Sequence, residues 1–199
     1  MNSDESNQFS VGLCHEFEIT ARKAGWEPKD LAVLSKSEVR CRELLAVLRG
    51  HSEIKQIDHI IDFDSTPHTP SGWSIREEDQ IKSRLRGKWT FDPHALKTYL
   101  SKKQKPSKFI DGIDLKDDLE GESVMGAHLL DFYLANPHLI PEEWKGKATF
   151  FWGTIYRDSD GNLCVRYLCW DGDRWDWGCY RLVISFDQSD PALLARPPE

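Results

Sequence analysis

Two carboxylates and an imidazole lie close together in the stretch IDHIIDFDSTPH, residues 57–68. Asp62 and Asp64 alternate onto one face of a predicted strand end, and His68 follows in the turn. Oxygen and nitrogen donors of this kind could hold a divalent metal ion and activate water for hydrolysis. The alternative is that Asp64 caps the turn and His68 is solvated, because carboxylates are common at such turns. We prefer the alternative, since no other acid or histidine cluster in the sequence offers an obvious third ligand.

A basic segment, KSRLRGKWTFDPHALKTYLSKKQKPSK at residues 82–108, carries nine Lys or Arg against one acid in a chain of net charge −7. Its first four cations alternate along the chain: Lys82, Arg84, Arg86 and Lys88. On an extended strand all four would lie on one side and could follow a phosphate backbone, while Trp89 and Phe91 stack on nucleic-acid bases. We favour a simpler interpretation, in which the charges form a solvated strand edge that discourages unwanted pairing or balance the acidic run at 111–122.

Aromatic and basic side chains are most concentrated in residues 149–182, TFFWGTIYRDSDGNLCVRYLCWDGDRWDWGCYRL. This segment holds four Trp, three Tyr and four Arg. Asp-Gly pairs tolerate the positive φ of tight turns, so they predict turns at 158–162 and 171–174. Three antiparallel strands that form a meander are therefore predicted near 149–157, 163–170 and 175–183.

If the first turn has three residues and the second has two, the alternation of side chains along each strand assigns every residue of the meander to one of two faces. One face, which we expect to be core, carries Phe151, Gly153, Ile155, Leu163, Val165, Tyr167, Tyr180 and Leu182. The other face carries Phe150, Trp152, Tyr156, Arg166, Leu168, Trp170, Trp175, Trp177 and Arg181. If exposed, this second face would be an interaction surface, because Trp, Tyr and Arg are enriched in interface hot spots. The alternative is that a buried helix at 123–135 covers it.

The elements before the meander are predicted from hydrophobic periodicity and from capping residues. Apolar residues recur at helical spacing up to Gly25, which predicts a first helix. A second short helix follows, and a third, with Ser35 and Glu38 at capping-box spacing, ends at Gly50. Three short helices are therefore expected within the first 50 residues.

The middle of the chain is predicted to mix strand and helix. Residues 54–64 are rich in Ile and Phe, which favours a strand. Asp92-Pro93 is a typical start for a helix, and another short helix is predicted around Leu115. In the segment at 123–135 apolar residues point in nearly every direction, which is typical of a buried helix.

The predicted fold class is α+β: an N-terminal segment of short helices, then a mixed α/β region that ends in a three-stranded antiparallel β-meander. A length of 199 residues suits one domain with a small appendage. We predict a disordered N-terminus at 1–8, a helical segment at 9–50, an α+β domain at 51–186 and a tail at 187–199.

Composition excludes several classes of protein. Hydrophobic content of 39% with 30% charged residues is typical of a globular protein, and no apolar run approaches a membrane span. The chain begins with MNSDESNQFS, which lacks the character of a signal peptide, and its five cysteines include no CxxC pair. We therefore predict a cytoplasmic protein with reduced thiols. No cofactor is predicted, because the sequence has no phosphate-binding glycine loop, zincin motif or dinucleotide fingerprint.

Four stretches resemble a group of uncharacterised bacterial proteins of similar length. They are HIIDFDSTP, FDPHALKTYLSKKQK, LLDFYLANPHLIPEEWKGK and FFWGTIYRDSDGNLCVRYLCWDGDRW. The likeness covers roughly residues 53–183, and the group ends in a near-identical aromatic meander. The resemblance implies a bacterial, intracellular protein but brings no activity, cofactor or site with it. Where the group often has tyrosine in the second and third strands, this chain has Cys169 and Cys179.

We therefore predict a non-enzymatic recognition module that binds a protein partner, or less favourably a nucleic acid, and no membrane. The predicted binding residues are Trp152, Arg166, Trp170, Trp175, Trp177 and Arg181. A metal-assisted hydrolase centred on Asp62, Asp64 and His68 is the alternative from another functional class.

Overall fold

The computed structural model of the chain describes residues 10–54, 57–104 and 106–196. It divides into two compact units, with the boundary between Ile57 and Asp58. The predicted disordered N-terminus at 1–8 lies outside the described residues. Within the described ranges no helix has the length and apolar content needed to cross a membrane.

The first unit contains the three predicted short helices. They are α1 (Val11–Lys23), α2 (Pro28–Ser35) and α3 (Glu38–Leu48). The third helix is capped by Ser37 rather than by the predicted Ser35, which instead ends α2. Gly25 and Gly50 have positive φ and follow α1 and α3, as expected for helix stops. Ala21 is the one buried residue among those described in these helices, so this unit has almost no core of its own.

The second unit is built on a mixed sheet with two small antiparallel pairs and two helices. Its strands are β1 (Ile60–Asp62), β2 (Ser74–Ile75), β3 (Lys88–Thr90), β4 (Leu96–Tyr99), β5 (Ile110–Asp111), β6 (Thr149–Arg157), β7 (Leu163–Trp170), β8 (Trp175–Arg181), β9 (Ser185–Phe186) and β10 (Ala192–Ala195). Its helices are α4 (Gly112–Asp118) and α5 (Ala127–Ala135). The main sheet has the order β4-β10-β6-β7-β8, with β2 also paired to β6, and the smaller pairs are β1-β3 and β5-β9. The α+β class is therefore confirmed.

The predicted meander is present as β6, β7 and β8. The β7-β8 pairing keeps one register over seven residue pairs, from Cys164 opposite Arg181 to Trp170 opposite Trp175. The loop between these strands therefore has four residues rather than the predicted two. This changes the register by two positions and leaves the two faces of β7 and β8 as predicted.

The first half of β6 has the opposite orientation from the one predicted. Its pairing with β7 shifts register between Phe150 and Ile155. An extended segment, residues 124–126, lies against β6 at this point, where the Gly153 N–H donates to the Met125 carbonyl oxygen at 2.9 Å. A Cβ on Gly153 would be 2.7 Å from the Gly126 nitrogen, so the close approach requires glycine.

Two further sequence predictions are wrong. Asp92-Pro93 begins only a short 3-10 helix, and the chain then forms the extended strand β4, where a helix carrying Leu96 was predicted. The predicted tail contains β10, which pairs with β4 and with β6 inside the main sheet. Residues 192–194 are apolar and buried, and their pairing partners are distant in sequence, which periodicity cannot reveal.

The core of this unit has two large clusters on opposite sides of the main sheet and one small cluster. The first large cluster contains Phe150 and Trp152 with Val165 of β7. The second contains Phe151 and Leu168 together with Leu129, Leu130 and Tyr133 of α5. The small cluster consists of Ala127, Tyr156 and Cys164. Helix α5 is thus the buried helix expected at 123–135, although it begins at Ala127 because residues 124–126 are used in backbone pairing.

Candidate functional site

Strand β8 is one edge of the main sheet, and its outer side is paired with no other strand in the described part of the chain. Backbone hydrogen bonds join Asp171 to Arg174 and Leu163 to Leu182 at the two ends of the β7-β8 ladder. Bonded and non-bonded pairs alternate along an antiparallel ladder. The backbone groups that point outward are therefore those of Trp175, Trp177, Cys179 and Arg181.

Two half-buried indoles lie beside the turn of this hairpin. Trp170 and Trp175 are cross-strand partners, and their ring centroids are 5.4 Å apart in an edge-to-face arrangement. The Lys145 Nζ lies 4.0 Å from the centroid of the Trp170 ring, which is a favourable cation–π distance. Both rings keep part of their surface exposed, although Trp175 also packs against the core cluster that includes α5.

The third indole, Trp177, is packed between a buried arginine and a histidine. The Arg166 guanidinium carbon lies 4.2 Å from the centroid of a Trp177 ring, and the His68 ring meets Trp177 edge-to-face at 6.0 Å. Trp177 also contacts the core cluster that includes α5. Cover by the helix at 123–135 was the alternative considered for the whole face. Trp177 does pack against the cluster that includes this helix, and the His68 ring, which was not foreseen, adds to the cover.

Arg166 was predicted to be an exposed binding residue, but its side chain is 0% exposed. Its Nη1 donates to Asp131 Oδ1 at 3.0 Å and to the His68 carbonyl oxygen at 3.1 Å. Asp131 Oδ2 in turn accepts the His68 backbone N–H at 2.7 Å. Arg166 is therefore a structural residue that joins β7, α5 and the turn at His68.

Trp152 is also wrong as a predicted contact residue, since it is 0% exposed and lies in the opposite core cluster. The register shift in β6 is the cause, because an odd shift exchanges the two faces of a strand. Arg181 does remain half-exposed, and its Nη2 is held by Asp158 at 2.8 Å and Asp160 at 3.0 Å. Both carboxylates belong to the turn between β6 and β7, so they fasten the end of β8.

The candidate metal ligands are not brought together. Asp62 Oδ1 accepts the backbone N–H of Asp64 at 3.1 Å, so the carboxylate that caps the turn is Asp62 and not Asp64, as the alternative interpretation had it. The backbone of His68 bonds to Asp131 and Arg166, while its ring lies against Trp177. Over the described ranges no three His, Cys, Asp or Glu side chains form a group able to hold a metal ion. The hydrolase hypothesis therefore has no supporting geometry in this part of the chain.

The basic stripe is not the one-sided row predicted from its spacing. Lys82 lies in a turn, and only Lys88 belongs to a strand, β3. Arg84 and Arg86 both bind the Glu77 carboxylate, with Arg84 Nη2 at 2.7 Å from each oxygen. The hydrogen bond from Arg84 holds the pKa of Glu77 below its ordinary value. Two of the four cations are thus paired within the protein, which weakens the case for phosphate binding.

The meander thiols do not resemble activated nucleophiles. Burial raises the pKa of Cys164 to about 11, and burial also raises the pKa values of Cys169 and Cys179. A cysteine nucleophile needs the opposite shift, because the thiolate is the reactive form. These three thiols are therefore poorly suited to act as nucleophiles at neutral pH.

Sequence reasoning missed two acids that organise this region. Asp131 is the one acid in a helix that is apolar apart from it and His128, and this contrast was the available signal for a buried partner. Asp176 gave no such signal, yet its Oδ1 accepts the outward N–H of Trp177 at 2.8 Å.

Comparison with known proteins adds no relative to this description. No protein-family model matches the chain, and neither the curated proteins nor the solved structures include a match.

Proposed function

We propose that this protein is a non-enzymatic recognition module that binds a protein partner by accepting an extended segment of that partner along the outer edge of β8. The proposal includes a cytoplasmic setting, which the odd number of cysteines favours. The single observation that carries it is the unpaired outer side of a seven-residue strand beside half-buried indoles.

The backbone supports this mode of binding because an edge strand offers a row of donors and acceptors. An incoming strand can bond to the outward groups of Trp175 and Cys179 without disturbing the pairing with β7, whereas the Arg181 carbonyl oxygen already accepts the Ile184 N–H at 3.1 Å. The side chains of such a segment would alternate between the two faces of the sheet. Those on one face would lie beside Trp175 and Trp177, so the partner segment should carry large apolar residues at alternate positions.

One carboxylate at this edge favours pairing with a specific partner over non-specific strand pairing. Asp176 occupies the Trp177 N–H at 2.8 Å, and its other oxygen accepts from Arg174 at 3.3 Å. A partner must replace this carboxylate to complete the ladder, and charged groups on edges suppress non-specific pairing.

The test uses a display library of random peptides selected against the full chain. In Cys179→Pro the outward N–H is replaced by the proline ring, which edge strands tolerate on their unpaired side. Cys179→Ala keeps the N–H and is the matched control. We expect enriched peptides with alternating apolar residues that bind wild type and Cys179→Ala equally, and that bind Cys179→Pro about tenfold more weakly or worse.

Two outcomes would reject the proposal. One is peptide binding that is equally strong in Cys179→Pro, provided that thermal melting shows this variant to be folded. The other is a wild-type chain that selects no peptide but sediments as a dimer that Cys179→Pro dissociates. The edge would then serve a second copy of the chain rather than a different partner.

A further inference from the structure

The opposite edge of the main sheet carries a cleft that no sequence motif indicated. The cleft lies at β4, has a volume of about 380 Å³, and is formed by β4, β10, α5 and the short 3-10 helix at 142–144. Its volume falls within the range of about 300–1,000 Å³ that is usual for small-molecule sites.

The floor of this cleft is apolar and firmly packed. It consists of Leu96, Tyr133, Trp144 and Leu193. Tyr133 and Leu193 are 0% exposed, and the rings of Tyr133 and Trp144 meet edge-to-face at 5.5 Å. A floor of this kind suits the hydrophobic body of a ligand, which contacts it fully once the cleft widens.

One polar atom in the floor has no partner. The Tyr133 hydroxyl is buried and makes no hydrogen bond to any residue that the structure describes. Buried hydroxyls are nearly always satisfied, because leaving one unpaired costs free energy. Burial also raises the pKa of Tyr133, so the hydroxyl keeps its proton and is available as a donor. An acceptor atom of a ligand that widens the cleft on entry would supply the missing partner.

The rim of the cleft is cationic. Lys97, Lys147 and Arg196 face a single acid, Glu143. Arg196 is held in place, because its Nε donates to the Leu96 carbonyl oxygen at 2.8 Å and this leaves its two terminal nitrogens for another acceptor. No ion pair within the described ranges joins any of the three cations to a carboxylate. This contrasts with Arg84 and Arg86, whose charges are paired with Glu77.

We propose that this cleft binds a small organic carboxylate with an aromatic or aliphatic body. The body lies on Trp144 and Leu193, and the carboxylate accepts hydrogen bonds from Tyr133 and from the cations of the rim. Guanidinium groups match carboxylates in geometry, and an anion balances the excess positive charge. The site is separate from the β8 edge and does not depend on the recognition function proposed above.

The test measures binding of phenylacetate to the full chain by isothermal titration calorimetry, with uncharged phenylacetamide and inorganic phosphate as comparison probes. We expect phenylacetate to bind and the other two probes to bind at least about tenfold more weakly. Arg196→Gln and Lys97→Gln should each weaken phenylacetate binding several-fold. Lys102→Gln makes the same charge change at an exposed position in the same basic segment and should have no effect.

Tyr133→Phe separates a ligand contact from a structural role, because it removes only the hydroxyl. We expect weaker phenylacetate binding with an unchanged or higher melting temperature, since an unpaired buried group is lost. The proposal is overturned if phenylacetate does not bind at millimolar concentration, or if phenylacetamide or phosphate binds as well. It is also overturned if Tyr133→Phe and Arg196→Gln leave affinity unchanged. Cys179→Pro changes the β8 edge and not the cleft, so it should bind phenylacetate normally. Failure of the peptide-binding proposal and failure of the cleft proposal can therefore be told apart.

Discussion

Strands β6 and β8 have similar aromatic content but very different surroundings. Eight of the nine residues of β6 are buried, whereas none of the seven residues of β8 is. The difference follows from sheet order, because β6 has neighbours on both sides and β8 has one. Aromatic composition alone therefore does not distinguish a central strand from an edge strand. Substitutions in each strand can test this difference.

The largest expected effect is the loss of an indole from β6. Trp152→Ala should lower the free energy of unfolding by about 3–5 kcal/mol, because the residue is fully buried and the cavity cannot close completely. Trp175→Ala in β8 should cost about 1 kcal/mol, as expected for a half-buried residue. Urea denaturation of both variants measures the difference. Equal losses would show that β8 is as deeply packed as β6.

The second largest effect is expected from loss of the buried ion pair between Arg166 of β7 and Asp131 of α5. Asp131→Ala leaves Arg166 without its carboxylate and should destabilise the fold by about 3 kcal/mol. The double variant Asp131→Ala/Arg166→Met should recover much of this loss, since no unpaired buried charge remains. Denaturant midpoints for the single and double variants give the coupling energy. Additive losses would contradict a direct pairing.

Alanine substitution of one glycine in each strand, Gly153 in β6 and Gly178 in β8, compares the packing of the two strands directly. An alanine Cβ at Gly153 in β6 would meet backbone atoms of Met125 and Gly126, which cannot move independently, so we expect a loss of about 1–3 kcal/mol. At Gly178 in β8 the three atoms nearest to the new Cβ belong to the hydroxyl and ring of Tyr167, a half-buried side chain that can shift more easily than backbone. Gly178→Ala should therefore cost less than Gly153→Ala in the same denaturation assay. The reverse order would show that Tyr167 is more tightly held than the segment at 124–126.

The smallest effect is a pH dependence at the end of β8. Burial opposes ionisation of Asp158, but hydrogen bonds from Asn162 and the charge of Arg181 outweigh it and lower the pKa of Asp158. A lowered folded-state pKa stabilises the fold above the unfolded value of about 3.9, and this contribution is lost as the pH falls through the folded-state value. The melting-temperature difference between wild type and Asp158→Asn should thus be present at neutral pH and shrink in acid. A gap that stays constant with pH would argue against the carboxylate as its source.

Local sequence signals predicted much of the fold. The Asp-Gly turns placed β6, β7 and β8 correctly because turn chemistry is decided by the turn residues themselves. The helix-stop glycines Gly25 and Gly50 are correct for the same reason. The β4 segment was assigned to a helix because its cap, Asp92-Pro93, is genuine, while its strand state depends on pairing with β10 at the far end of the chain.

The candidate site was only partly predictable. Trp170, Trp175 and Trp177 lie on the predicted face of β7 and β8, since a change of register by two positions preserves alternation. Trp152 and Arg166 were misassigned because the first depends on a register shift and the second on a helix and a turn far away in sequence. The cleft at β4 could not be foreseen, because four separate elements contribute its lining.

The sequence by itself determined the turns, the helix stops and the alternation of side chains along each strand, since these depend on residues within a few positions of one another. Only the tertiary structure decided which strand is an edge, which aromatic rings are covered and which cations are neutralised. Those outcomes depend on strand order and on long-range partners such as β10, Asp131 and Glu77. Burial and charge pairing arise from the packing of distant segments, and no local pattern encodes them.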